Sequence, residues 1–354
     1  MRKISLFIFS LCAVLVFNGC KNDLEIIDEW KETMVVFGLL NQSDTAQYIK
    51  INKAYLGEGD AFQMAGYYDS INYTNQLTVT LERWKNNQLL STHPLIRDLS
   101  LNKPPGIFAY PNQVLYKTTD AIFDDSEYRL TIINGETGKK VTAKTPLVKD
   151  FVMANPVPTQ SIVNFTNPNF PFKVEWSTGP NGRLYQVAIR FFYVRKHKIT
   201  GVKTQDSVDW VFPEKKANNL LGNETMKIEF MGESFYRFIG NPGNVPNDGN
   251  YYLIPGKINN SSHHLDFFIF SAGEDFATYM EVNKPSLGVL QEKPIYTNLE
   301  GGIGLFSARY TKLKAGMELG NTGNNHSLDS LYAGQYTAWQ NFCTENPLSV
   351  YFCQ

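Results

Sequence analysis

Short apolar runs alternate with polar turns along most of the chain, at the spacing of β-strands. Residues 76–84, QLTVTLERW, place Leu77, Val79 and Leu81 on one face and polar side chains on the other, as in a sheet with one solvated face. Residues 34–40, MVVFGLL, are continuously apolar and predict a strand buried on both faces. Strands at this spacing, without a long helical period, predict an all-β protein of the sandwich type.

The strand patterns fall into two groups on either side of a proline-rich stretch. We expect an N-terminal β-sandwich domain over residues 31–148, closed by the hairpin EYRLTIINGETGKKVTAKTPL. Residues 149–170 read as a linker and domain entry, and residues 171–320 as a C-terminal β-sandwich domain. Both are predicted to be immunoglobulin-like or fibronectin-III-like. Short helical patterns interrupt the second domain, and residues 321–354 are expected to form a helix and a tail.

The N-terminus has the pattern of a secretory signal peptide. Two cations follow the initial methionine, and an apolar run extends from Ile4 to Phe17. Fourteen residues form about 21 Å of helix, which is shorter than the roughly 30 Å hydrocarbon core of a bilayer. The run therefore predicts an export signal over residues 1–19 rather than a permanent membrane span.

The end of this signal resembles a bacterial lipobox, because Gly19 stands directly before Cys20. The resemblance implies cleavage before Cys20, attachment of fatty acyl chains such as palmitate to it, and a polar tether over residues 20–30. Several acyl chains hold a soluble body on a membrane far more firmly than one. The alternative is a plain signal peptide with an incidental cysteine.

Two acids in the tether, Asp23 and Glu25, bear on the side of the membrane that displays the protein. Acidic residues at this place resemble the export signal that sends some Bacteroidota-type lipoproteins to the outer face of the outer membrane. We therefore expect an outer-membrane protein anchored by lipid and exposed at the cell surface. A solvated tether with no sorting role is the alternative.

The charge of the mature chain bears on a nucleic-acid partner, and its cysteines bear on a disulfide. Removal of Arg2 and Lys3 with the signal leaves 31 cations against 34 acids, so a nucleic-acid partner is not expected. Cys343 and Cys353 then remain as an even pair with nine residues between them. In an oxidising compartment this pair predicts a disulfide that clamps the tail. Metal ligation is the weaker interpretation, since no second pair or nearby histidine completes a zinc site.

Near the end of the second predicted domain, PIYTNLEGGIGLFSARYT (294–311) resembles a segment of a Bacteroidota lipoprotein family of unknown function. Members of that family are often encoded beside TonB-dependent outer-membrane transporters. The lipid cysteine, the opening strand MVVFGLL and the hairpin at 127–147 also lie where the family has them. The resemblance implies a cell-surface accessory lipoprotein and no known reaction. The matching positions in the segment are Thr297, Asn298, Gly301, Gly302, Gly304 and Phe306.

No motif in the sequence predicts catalysis, a cofactor or a metal. The glycines at 301–304 lead into a strand-like run and lack the Gly-Lys-Ser/Thr of a phosphate loop, so they predict a close backbone approach or a bulge. The five histidines show no metal-binding spacing. Adjacent acids such as Glu274 and Asp275 suit the first turn of a helix. We therefore expect a protein that is not an enzyme.

Tyrosines in two polar stretches are the candidate ligand or partner surface. Tyr67, Tyr68 and Tyr73 lie in GYYDSINY, and Tyr251 and Tyr252 lie in NYYLI. Exposed tyrosines can stack on a sugar ring or meet a protein, although tyrosines also line strands with only their hydroxyls wet.

The expected function is an accessory or binding component of a TonB-dependent uptake system, with a transporter as protein partner. An independent glycan-binding or peptide-binding module is the alternative, and a hydrolase on a β scaffold is a third and weaker one.

Overall fold

The computed structural model describes residues 33–54, 60–167, 169–284 and 295–354. The predicted signal peptide, Cys20 and the tether lie outside these residues. Within them the protein is mostly β, with several sheets and a few short helices, which confirms the predicted all-β class. None of the described helices is long and apolar enough to cross a membrane.

The first strands and helices of the described chain include those that line the cavity described below. They are β1 (Met34–Leu40), β2 (Gln47–Lys53), α1 (Ala61–Ala65), α2 (Tyr68–Ile71), β3 (Leu77–Lys85), β4 (Gln88–Pro94), β5 (Ile96–Asp98), β6 (Leu115–Thr118), β7 (Glu127–Asn134) and β8 (Lys140–Pro146).

The first of the remaining strands lies within the predicted linker, and the others follow it along the chain. They are β9 (Met153–Asn155), β10 (Ile162–Val163), β11 (Phe172–Ser177), β12 (Leu184–His197), β13 (Lys203–Val211), β14 (Lys215–Lys216), β15 (Thr225–Phe230), α3 (Gly232–Ile239), β16 (Tyr251–Pro255), β17 (Leu265–Ala272), α4 (Glu274–Asn283), β18 (Ile303–Leu319), β19 (Asn321–Thr322), β20 (Asn325–His326), α5 (Ser327–Ala333) and a 3-10 turn (Ala338–Gln340).

One hydrogen-bonded sheet contains strands from both predicted domains. Its order is β13-β12-β17-β18-β1-β2-β6-β5, so β18 connects the two halves. The start of β18 pairs parallel with β1, from Val35 opposite Ile303 to Leu40 opposite Ala308. Its later residues pair antiparallel with β17. The two-domain division and the immunoglobulin-like character stay predictions, because the described strands form a sheet that crosses the predicted boundary.

The glycine-rich segment at the start of β18 makes this junction possible. Gly304 has φ +122°, and a Cβ built on it would lie 2.1 Å from the carbonyl oxygen of Val36. The Asn298 side chain holds the same region, because its Oδ1 accepts from the Phe306 N–H at 3.0 Å and its Nδ2 donates to the Phe306 carbonyl at 2.7 Å. The predicted close backbone approach at these glycines is confirmed.

Smaller sheets cover the large one and bury a shared core. The sheet β4-β3-β7-β8 contributes Val79 and Ile132 to the same hydrophobic cluster as Ile49 and Ile51 of β2. The sheet β15-β11-β9 meets the other half of the large sheet through rings such as Phe172 and Phe267, whose centroids are 5.7 Å apart. Sheets therefore pack face to face, as expected of a sandwich.

Three local predictions can be compared with the structure. The helical patterns at 231–240 and 273–283 form α3 and α4, as predicted. The last helical pattern is shorter than predicted and ends at Ala333, with a separate 3-10 turn after it. The prediction that β1 is buried on both faces is wrong, because Phe37 is 39% exposed. That outer face of β1 forms the floor of a cavity.

Candidate functional site

The outer face of β1 and β2 is the floor of the cavity. The antiparallel register sets Phe37 opposite Lys50 and Val35 opposite Asn52, so these four side chains share one face. Strand alternation sends the neighbouring residues, such as Val36, to the core on the opposite face. Two apolar and two polar side chains therefore lie on the face of β1 and β2 that points away from the core.

Two short helices form one wall. The Asp60 side chain caps α1 by accepting from the Phe62 N–H at 2.8 Å. The end of α2 is fastened to the floor, because the Asn52 amide donates to the Ile71 carbonyl at 2.8 Å and to Asn72 Oδ1 at 3.0 Å. These bonds hold Phe62, Ile71 and Asn72 along the cavity edge.

A loop between β5 and β6 forms the other wall. Its base is closed by a backbone bond from Lys103 N–H to the Pro111 carbonyl at 2.9 Å. Its tip is joined to α1 by a bond from Ala109 N–H to the Ala65 carbonyl at 2.9 Å. The loop is thereby positioned to present Ile107 and Phe108, both exposed, at the cavity mouth.

The cavity is open to solvent on one side and has a volume of about 620 Å³. This lies within the roughly 300–1,000 Å³ range of small-molecule sites, which are concave and mostly apolar with a few polar groups. Phe62, at 71% exposed, adds to the apolar rim made by Ile107 and Phe108. Exposed apolar side chains gathered at one opening are typical of a binding surface.

The polar groups of the cavity are cationic or neutral. The lining includes Lys50, Lys53 and Lys103 together with amides, and none of the described lining residues is an acid. Burial lowers the pKa of Lys50 from its ordinary value, and the charge of Lys103 lowers it further. Neither Lys50 nor Lys103 forms an ion pair with a described residue.

The structure separates the first three predicted site tyrosines. Tyr67 is 63% exposed, Tyr68 is half-buried, and Tyr73 is only 1% exposed with Lys53 over its ring. The Tyr68 hydroxyl accepts from Arg97 Nη2 at 2.9 Å. Only one of the three rings is freely exposed, so they do not form a shared stacking platform for a sugar.

The second tyrosine pair supports the C-terminal tail. Tyr251 packs against His197 and under Arg195, and Tyr252 packs on the cluster that includes the buried Cys343 and Cys353. The two cysteines form a disulfide in the structure. The Tyr252 hydroxyl also donates to the Gln354 carbonyl. Both tyrosines are half-buried on β16, away from the cavity lining.

The two pairs of adjacent acids, Asp124 with Asp125 and Glu274 with Asp275, lie outside the cavity lining. Asp125 pairs with Lys85 at 2.6 Å and Arg83 at 2.9 Å, and its hydrogen bonds to Lys85, Ser126 and Arg83 hold the pKa of that carboxyl below its usual range. Glu274 and Asp275 lie in the first turn of α4. No group of three or more His, Cys, Asp or Glu residues within the described ranges could hold a metal ion.

Comparisons with known proteins give little support for an assignment. No protein-family model and no curated protein matches this chain. A solved structure titled "Cytokine receptor complex - Crystal form 1A" aligns with 79% of this chain and 96% of its own chain, at 9% identity and a TM-score of 0.20. A likeness this distant carries no argument about fold or function.

Sequence reasoning missed the cavity residues. The alternation in QYIKINK sets Lys50 and Asn52 opposite the core, but it cannot show that helices and a loop would enclose them. The one available signal is in PPGIFAYP, where Ile107, Phe108 and Tyr110 lie in a proline-bounded loop with no strand period. Apolar residues in such a loop have no core to enter, which indicates a surface role.

Proposed function

We propose that this protein is a non-catalytic binding component of the cell envelope, anchored through lipid on Cys20, whose ligand enters the cavity over β1 and β2. The cavity carries the proposal, because its apolar lining, its volume and its exposed aromatic rim are those of a small-molecule site. The lining favours an apolar molecule over a glycan. An accessory role in TonB-dependent uptake would make the cavity a delivery site at the cell surface.

Blocking the cavity tests this function. Ala109 lines the wall, and Trp in its place would fill space that the ligand needs. The neutral fluorescent probe N-phenyl-1-naphthylamine should bind the wild-type chain saturably, and Ala109→Trp should weaken that binding about tenfold or more. Ala121→Trp is the matched control, because Ala121 is exposed and outside the lining. Absence of saturable binding by wild type, or equal affinities of the two variants, would contradict the function.

A second surface supports a protein partner such as a transporter. The loop closed by the disulfide exposes Leu348 and Val350 almost completely. It lies against the β12–β13 hairpin, since the Glu345 carboxylate contacts Lys196 Nζ at 3.0 Å and Lys203 Nζ at 2.6 Å. Exposed apolar side chains on a fastened loop suit a protein interface.

Crosslinked pull-down from intact cells tests this partner. The wild type should recover a TonB-dependent transporter, and Cys20→Ala should lose it because the anchor is gone. Leu348→Ser with Val350→Ser should also lose it while the lipidated protein stays at the membrane. Recovery of the lipoprotein alone from wild-type cells would argue against the transporter and for an independent binding module.

A further inference from the structure

We propose that the cavity ligand is an amphipathic anion, whose apolar body lies against the aromatic lining and whose negative group is bound by Lys50 and Lys103. This inference rests on the proposed binding function and adds the chemical class of the ligand. Alkyl carboxylates and alkyl phosphates share the required chemistry.

The absence of acids in the described lining is the first argument. Several strand lysines elsewhere in the described chain have counter-ions, such as Lys85 with Asp125 at 2.6 Å and Lys312 with Asp150 at 2.8 Å. The cavity has three lysines and no acid among its described lining residues. A cation that faces an apolar space without a counter-ion is unfavourable, so a site built this way favours an anion supplied by the ligand.

The placement of the two cations is the second argument. Lys50 lies on the floor beside Phe37 on the neighbouring strand, and Lys103 lies at the base of the loop that presents Phe108. Lys103 Nζ is 5.5 Å from the centroid of the Phe108 ring. Each cation therefore adjoins an aromatic side chain of the lining, as a ligand with a charged group on an apolar body requires.

The charge of Lys103 acts on Lys50 in a way that an anion would relieve. Lys50 is half-buried, and both its burial and the charge of Lys103 lower its pKa. A negative group near the Lys50 amine would favour its charged form. Binding energy would then come from charge pairing as well as from apolar burial, and the neutral analogue of the same ligand would lack the first contribution.

A matched set of ligands and variants tests the class. Dodecanoate, dodecyl phosphate and dodecan-1-ol share one alkyl chain, and their affinities for the full mature chain are measured by displacement of N-phenyl-1-naphthylamine. Wild type should bind at least one of the two anions about tenfold or more tightly than the alcohol, as charged hydrogen bonds allow. The preferred anion separates the carboxylate from the phosphate source.

Substitution of the lysines should remove this preference and leave the alcohol unchanged. Lys50→Met and Lys103→Met keep most of the length of the side chain without its charge, whereas Lys50→Arg keeps the charge and should retain part of the preference. Lys144→Met is the control, because Lys144 is exposed on β8 and outside the cavity. Circular dichroism and urea unfolding establish that each variant is folded before its affinities are compared.

The outcomes separate the inference from the function on which it rests. Equal affinity of wild type for the alcohol and both anions would overturn the anionic class and leave the binding function standing. An anion preference that survives in both folded lysine variants would overturn the assignment of Lys50 and Lys103. Failure of every ligand and of the probe to bind would overturn both proposals together.

Discussion

Two regions of the molecule cover the large sheet with aromatic side chains in different ways. In the C-terminal half, α3 turns Phe235, Tyr236 and Ile239 inward, and each is almost completely buried. In the N-terminal half, α1 leaves Phe62 at 71% exposed above the floor of β1 and β2. Rings of the same kind fill space in one region and line an open space in the other.

The difference shows that aromatic rings stabilise the fold in the C-terminal half and remain exposed around the cavity in the N-terminal half. The ring centroid of Phe235 is 4.9 Å from that of Phe165, which follows β10, and 5.8 Å from that of Phe191 on β12. Each buried aromatic ring contributes through its area and its edge contacts. Phe62 and Phe108 are exposed and lack that stabilisation, as the proposed binding function requires.

The largest effect should come from truncating one buried ring and one exposed ring to alanine. Phe235→Ala should lower the free energy of unfolding by about 3–5 kcal/mol, because it removes a fully buried ring and leaves a cavity. Phe62→Ala should change it by no more than about 0.5 kcal/mol, as at other exposed positions, while weakening binding of the fluorescent probe. Urea denaturation and probe titration measure the two quantities. Similar destabilisation by both would show that the regions do not differ as described.

A smaller effect on the free energy of unfolding should come from pH, through a buried histidine of the packed C-terminal half. His264 is buried, and its Nδ1 accepts from the Leu319 N–H at 2.9 Å. Burial lowers the pKa of His264 from 6.5 to about 4. The unfolded chain therefore binds a proton more readily between these values, and stability falls as the pH falls from 6.5 towards 4.

The expected loss from this histidine is about 2 kcal/mol between pH 7.5 and pH 5. His264→Asn keeps an acceptor but does not titrate, so its unfolding free energy should decline less over the same range. His326→Asn is the control, since the His326 side chain is 62% exposed. A pH dependence in His264→Asn that equals that of wild type, by urea unfolding at both pH values, would contradict the assignment.

Local patterns predict several of the strands and two of the longer helices, but not the short helices α1 and α2. Alternation locates β3 and the hairpin of β7 and β8, and the limits of α4 follow its first-turn acids. Periodicity reports on which face of a strand is apolar, and this information is contained in a few neighbouring residues. The all-β class therefore follows from the amino-acid sequence alone.

Long-range pairing and enclosure are beyond such patterns. The apolar run of β1 predicts burial but not that Gly304, some 270 positions later, would pair with Val36. The same limit applies to the cavity, whose lysines and phenylalanines come from β2, α1 and the loop after β5. The predicted tyrosine surface rests on composition and polar surroundings, which do not distinguish exposed Tyr67 from buried Tyr73.

The parallel pairing of β1 with the start of β18 has a consequence for how the chain acquires its fold. A ribosome releases β1 among the first strands, yet the strand that completes its hydrogen bonds emerges more than 260 residues later. Until then one edge of β1 has no partner, and closing so long a loop is slow. The floor of the cavity is thus finished only when synthesis is nearly complete, so the cavity is among the last features of the fold to form.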